Sequence, residues 1–193
     1  DETTSERLDS WKVTDQKHSG RCWEFAGLNV LRAKVIDELK VDDLEFSQNY
    51  IAFFDKLEKA NHTLARAIAT ASRDADEEEV RAIMDNPAED GGWWMQFTDL
   101  VAKYGVVPSW VMPDTESAGN TLQMNRALST VLRRAIGKIR DAATNSDANE
   151  GASQMEAARS EALSAVWRIL AIHLGTPPTS FTWQYRDKDK NFH

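Results

Sequence analysis

Apolar residues return at intervals of three and four over most of this chain, the spacing of helices that bury one face. From Cys22 to Lys40 the stripe is Phe25, Leu28, Leu31, Val35 and Leu39. Gly20, just before it, permits a tight approach turn. Ser47 suits an N-cap, so a second helix is expected over residues 48–71, with Tyr50, Phe54, Leu57, Leu64 and Ile68 mostly on one side. Residues 74–85 read as a short helix with acids in its first turn, where the helix dipole favours them. Asp90-Gly91-Gly92 reads as a turn, and the helix expected over residues 94–104 should stop at Gly105. Val106 and Val107 should be extended, because the residue before Pro108 avoids the helical region.

Residues 121–143 and 153–174 read as a long helical hairpin. Leu128, Val131, Ala135 and Ile139 mark one face; Ala162, Ala165, Val166, Leu170 and His173 mark the other. The Ala-, Asn-, Ser- and Asp-rich stretch 142–153 reads as the loop between them. Gly175 and Pro177-Pro178 end the second helix. Beyond it Phe181, Trp183 and Tyr185 alternate ahead of Asp187-Lys188-Asp189, the pattern of a strand entering a hairpin. The apolar side of that strand finds no partner in the sequence. No repeat of solenoid type is present.

The 193 residues allow one domain with a real core, or two small lobes. A composition of 41% hydrophobic and 28% charged residues is that of an ordinary globular chain. The net charge of −8 argues against nucleic-acid binding by this segment, which needs clustered Lys and Arg. No apolar run approaches the ~18 residues of a membrane span. Residues 1–10 are polar and acidic with no apolar core, so no signal peptide is visible. The first residue is not Met, so the chain is read as either cut from a longer one or begun at that point by design. Cys22 is the single cysteine, which excludes an internal disulfide and a multi-Cys zinc site. These features point to a reducing, cytoplasmic setting. The acids at 74–79 and 187–189 lack the glycine and terminal glutamate of a calcium loop, so neither metal nor cofactor is expected.

The informative stretch is Val13-Thr14-Asp15-Gln16-Lys17-His18-Ser19-Gly20-Arg21-Cys22-Trp23. A lone buried cysteine is ordinarily inert packing. Cys22, however, opens a long amphipathic helix, where the dipole and free N–H groups favour a thiolate. Gln16, six residues earlier, offers an uncharged amide donor. A thiolate attacking a carbonyl needs donors for the developing oxyanion, and the Cys22 N–H and Gln16 amide could supply two.

At these residues the chain resembles the papain-like cysteine peptidases, whose pattern is Gln, five residues, Cys, Trp, with the Cys opening a helix. The wider wording from Trp11 to Ala26 is similar to the bleomycin hydrolase and aminopeptidase C branch. The resemblance continues through Leu44 to Gln48, Phe53 to Asn61, Asp90-Gly91-Gly92, Lys103 to Pro108, and Pro177 to Asp189. It implies a mainly α chain in three parts. These are the helical left lobe of a papain-like α+β fold over residues 1–120, a helical insertion over 121–176, and the start of a barrel-lobe β hairpin over 177–193. It implies Cys22 as nucleophile, Gln16 as oxyanion donor, and the Gly91-Gly92 backbone against an extended substrate. Trp93 would border the side-chain subsite, though a packing tryptophan is an equal reading. The activity implied is removal of residues from peptide N-termini by a homo-oligomer, hexameric in relatives.

Several positions depart from that branch. Asp15 stands for the usual Asn, Glu24 for an apolar residue, Trp93 for Gln, and Ser19 for a disulfide cysteine of secreted relatives. Asp15 and Glu24 would oppose a thiolate if they point inward. A thiolate peptidase also needs an imidazole. Of the four histidines, His18 lies on the Gln-to-Cys loop, His62 on a polar helix face, and His193 at the last position. His173 has the ~130–150-residue separation of papain-type sites. It sits in a helical pattern, however, where the fold requires a strand start. The catalytic His and its orienting Asn are therefore expected outside these residues, and the chain alone is expected to be inactive. The alternative is a non-catalytic helical interaction module that keeps an ancestral Gln-Cys loop.

Overall fold

The computed structural model describes residues 12–88, 90–145 and 147–193. Among them are seven helices: α1 (Cys22–Leu39), α2 (Gln48–Ala69), α3 (Glu78–Asp85), α4 (Trp94–Tyr104), α5 (Glu116–Gly119), α6 (Leu122–Asn145) and α7 (Ala148–Leu174). The expected boundary residues act locally as their chemistry suggests. Ser47 caps α2 by accepting the Tyr50 N–H at 2.9 Å. Gly105, at φ 73°, closes α4, and Gly175, at φ 86°, closes α7, both in backbone that L side chains avoid.

Four elements differ from the expectation. The helix expected over 74–85 begins only at Glu78, because Glu77 is drawn into ion pairing with Arg73 and the preceding acids form turns. The loop expected over 142–153 is mostly helix. Alanines continue α6 to Asn145, and Asp147 caps α7 by accepting from the Asn149 and Glu150 N–H groups. The four-residue α5, too short to show a period, is capped by Thr115. The C-terminal segment makes an antiparallel bridge at Arg186–Phe192 and main-chain bonds between Tyr185 and His193, while residues 180–184 are extended with no ladder. Phe181, Trp183 and Tyr185 do meet ring to ring in succession, edge-on or tilted, with Trp110 edge-on at one end and His193 stacked on Tyr185 at the other.

Helix α2 is the centre. The α6–α7 hairpin packs along it, and α1, α3 and α4 pack around its other sides. It is therefore buried nearly all round in its first turns: Ile51, Ala52, Phe53, Asp55 and Lys56 are all inside, a wider burial than a one-sided stripe would give. On α7 the buried positions step by four, Ala158, Ala162, Val166, Leu170, Leu174, so small residues allow close approach to Leu128, Leu132, Ile136 and Ile139 of α6. On α1 the buried face runs through Phe25, Leu28, Arg32 and Ile36, with Leu31 and Val35 at its border. Arg32 takes a core position because its guanidinium meets Asp43 at 2.5 Å and the Lys12 carbonyl at 3.3 Å. At one end of the bundle Asn49 ties the start of α2 to the end of α7 and to the segment before α5, its amide donating to the carbonyls of Leu174 and Pro113.

Leu170 is fully buried in this core. Leu170→Ala should cost about 2–5 kcal/mol. A denaturant midpoint that falls with an unchanged m-value would show it, and a loss below ~1 kcal/mol would contradict the described hairpin packing.

Candidate active site

Cys22 is the first residue of α1 and is exposed. The residue before it, Arg21, occupies the N-cap, where an arginine side chain cannot accept a hydrogen bond, so the helix start has no side-chain cap. The Glu24 N–H turns back to the Arg21 carbonyl at 2.9 Å, and the helix dipole with the N–H groups of Cys22 and Trp23 is left to face whatever approaches Cys22. Arg21 is itself locked. Its Nε donates to Ser19 Oγ at 2.9 Å, and its two terminal nitrogens form a fork on the Asp114 carboxylate, each at 2.8 Å. Ser19 Oγ donates to the Gln16 carbonyl at 2.6 Å, and the His18 N–H to the Gly119 carbonyl at 3.0 Å. The loop from Gln16 to Cys22 is therefore held from both ends. The Gln16 side chain is half-buried, and its Oε1 is enclosed with no hydrogen-bond partner among the described residues.

The glycine pair is built onto this loop. The Gly91 N–H donates to the Gly20 carbonyl at 3.2 Å. A Cβ on Gly20 would lie 2.4 Å from that of Asp90, and one on Gly92 would lie 2.6 Å from the Trp23 ring. Gly91 has φ 87°. Only glycine satisfies these three positions. Trp93, 74% exposed, follows with Trp94 and Met95 to make an apolar lip. Trp93 does not pack into the core formed by the described residues. Behind the glycines lies a groove of about 1010 Å³ whose walls include Lys59, His62, Arg66 and Trp93.

Two carboxyl groups sit beneath the site. Glu24 points inward and is buried, as is Asp55. Burial, and secondly the charge of Asp55, pushes the Glu24 carboxyl well above the carboxylate range against the pull of Arg21, Lys59 and Lys56. Burial also raises Asp55, opposed by Lys59. A raised Glu24 favours its neutral form, which lessens the opposition to a thiolate expected of an inward acid. Asp15, in contrast, is exposed and accepts the Lys17 N–H.

The histidines are spread over the described residues, His18 on the Gln16-to-Cys22 loop and His62 in the groove wall. His173 is in the last turn of α7 with Nδ1 3.0 Å from Ser117 Oγ, His193 meets Asp187 at 3.0 Å, and His18 and His62 are exposed. Among the described residues none makes a hydrogen bond with Cys22. Nor does any cluster of three or more His, Cys, Asp or Glu side chains there suit a metal ion. No described helix is long and apolar enough to cross a membrane.

Residues 1–193 match the family described as Peptidase C1-like. The chain belongs to that family. It is 39% identical over 195 residues to Aminopeptidase C of Lactobacillus delbrueckii subsp. lactis, covering 100% of this chain and 42% of that protein. It is 38% identical over 182 residues to Bleomycin hydrolase of Homo sapiens, covering 93% and 39%. The crystal structure of PepW from Lactobacillus rhamnosis HN001 superposes with a TM-score of 0.90 at 40% identity, covering 100% of this chain and 43% of that one. The chain spans about two fifths of the length of these relatives. Its place is thus in the bleomycin hydrolase and aminopeptidase C branch, and its architecture is the helical lobe of a papain-like fold.

Gln16 and Cys22 are the candidates that local spacing singles out, and the resemblance adds Gly91 and Gly92. Arg21, Asp114, Asp55 and Lys59 stand out by neither. Each is an ordinary charged residue in sequence, and only its buried partner distinguishes it. Glu24 gives a test of the site's electrostatics. A carboxyl raised by folding binds more protons folded than unfolded, so its stability contribution is full below the ordinary carboxylate pKa and is lost as pH climbs through the raised one. Glu24→Gln removes that loss. Its stability relative to the parent should rise with pH above the ordinary carboxylate range, read as a thermal midpoint that climbs for the variant relative to the parent. Parallel melting curves for parent and variant would instead place Glu24 outside the buried cluster.

Proposed function

We propose that these residues are the nucleophile-bearing lobe of a cysteine-type aminopeptidase acting on peptides. The observation that carries this reading is the exposed Cys22 at an uncapped helix start, with Gln16 on a loop locked by Arg21 and Asp114. The Cys22 thiolate attacks the peptide carbonyl near the substrate N-terminus. The Cys22 N–H and the Gln16 amide hold the oxyanion. An imidazolium protonates the leaving amine, and water then releases the thioester. Gly91 and Gly92 lie along the substrate main chain, and Trp93 borders its side chain. The imidazole comes from residues outside these 193. A cytoplasmic homo-oligomer is part of the same reading, carried by the resemblance alone.

The chain by itself should not hydrolyse aminoacyl-coumarin substrates. Joined to the remaining length that its relatives have, it should, and Cys22→Ala should abolish the activity. In the complete enzyme Cys22 should be alkylated by iodoacetamide at acidic pH far faster than in the chain alone, the signature of a thiolate–imidazolium pair. Equal acidic-pH rates in both would favour the non-catalytic module. In the active protein Gln16→Ala should lower kcat by about 10²–10³ with little change in Cys22 alkylation.

A further inference from the structure

Two lysines one turn apart on α2 grip the segment that carries the glycine pair. Lys56 Nζ reaches the Ala88 carbonyl and the Asp90 carboxylate, which also accepts from Thr121 and Asn125. Lys59 Nζ donates to the Gly91 carbonyl itself. Lys59 is also oriented from behind: it meets Asp55 Oδ2 at 2.8 Å, while the other oxygen of that buried carboxylate accepts from Gln96 Nε2 at 2.6 Å. Its ammonium lies 5.4 Å from the centre of the Trp23 ring, within cation–π range. That ring is the surface on which Gly92 rests, and Trp23 directly follows Cys22. One ammonium therefore touches both halves of the site. These halves are the glycine strand, through a charge-assisted hydrogen bond, and the nucleophile's helix, through its tryptophan.

The Gly91 peptide has little else to hold it. Gly91 lies at φ 87° with no atom within 4 Å of where a Cβ would be, so its conformation is open on the side-chain side. Its N–H bond to Gly20 is long at 3.2 Å. A glycine in an unsupported left-handed conformation samples other backbone wells, and each such excursion would turn the peptide planes on which an extended substrate depends.

We propose that Lys59 is a positioning residue for substrate binding, holding the Gly91-Gly92 main chain and the Trp23 ring in one fixed relation. This rests on the reading of Gly91 and Gly92 as the substrate strand. Lys59 touches neither the reacting atoms nor Cys22, so its loss should weaken binding and spare the nucleophile.

The test is Lys59→Met and Lys59→Arg in the complete, active protein, with Cys22→Ala alongside. Methionine keeps the stem and removes the donor. Arginine keeps a cationic donor for Asp55 and Gly91. Lys59→Met should raise KM for an aminoacyl-coumarin substrate about tenfold, leave kcat within about threefold, and leave the Cys22 alkylation profile where it was. Lys59→Arg should recover most of the KM. An unchanged KM in folded Lys59→Met overturns the proposal. So does a KM rise matched by an equal loss of alkylation rate, which would mean general collapse of the site. If Lys59→Met does not fold, Lys59→Arg and Lys59→Gln decide. A glutamine too short to span both acceptors should raise KM while arginine does not, and equal KM values for the two overturn the proposal. Full activity in Cys22→Ala would instead sink the catalytic reading on which this one rests.

Discussion

A guanidinium cannot be buried without partners, and where Arg21 finds its partners decides where the start of α1 lies. Its fork on Asp114 draws in the segment before α5. Its Nε draws in Ser19, and through Ser19 the Gln16 carbonyl. Two separate pieces of chain, the Gln16-to-Arg21 loop and the segment at Asp114, thus meet at one planar cation. Because the side chain at the N-cap is a cation with no acceptor, the first turn of α1 has no side-chain cap, and only the Glu24 N–H turns back to the Arg21 carbonyl, at 2.9 Å. The same interaction that rigidifies the loop therefore leaves the helix end chemically available. Gly20 must be glycine in consequence, since the loop, so held, passes against Asp90 with no room for a Cβ.

The second requirement is a helix that serves two purposes. The apolar sides of α2, with Ile51, Phe53 and Leu64, complete the core shared with α6 and α7. Its Asp55, Lys56 and Lys59 turn toward the glycine segment and the underside of α1. Packing of the hairpin and placement of the site are thus read from one rigid rod. Burying so many charged groups is costly unless each is paired. Lys56 and Lys59 are paired. Glu24, with an enclosed oxygen lacking a partner among the described residues, is the exception, and its raised protonation is how the structure accommodates it.

Much of this was legible along the chain. The Ser47 cap, the span of α4 and the stops at Gly105 and Gly175 depend on residues within a turn of one another, and local chemistry decides them. The Gln16-to-Cys22 spacing at a helix start is of the same kind. The helical period misjudged α1 and α2 because it assumes one buried face of apolar residues. Arg32 is buried by a partner eleven residues away, and α2 is covered on nearly every side. The supposed loop at 142–153 misled because its polar composition outweighed a capping aspartate and a run of helix-forming alanines.

What the sequence by itself determined is most of the helices, the stops at Gly105 and Gly175, and the placing of Gln16 six residues before a Cys22 that opens a helix, all matters of short-range stereochemistry. What only the tertiary structure decided is which charges meet: Arg21 with Asp114, Lys59 with Asp55 and Gly91, Lys56 with Asp90. A charged residue looks alike in any sequence. Whether it is a solvated surface group or the clamp of a site depends on the partner that folding brings within hydrogen-bond reach, and on the removal of the water that would otherwise screen them both.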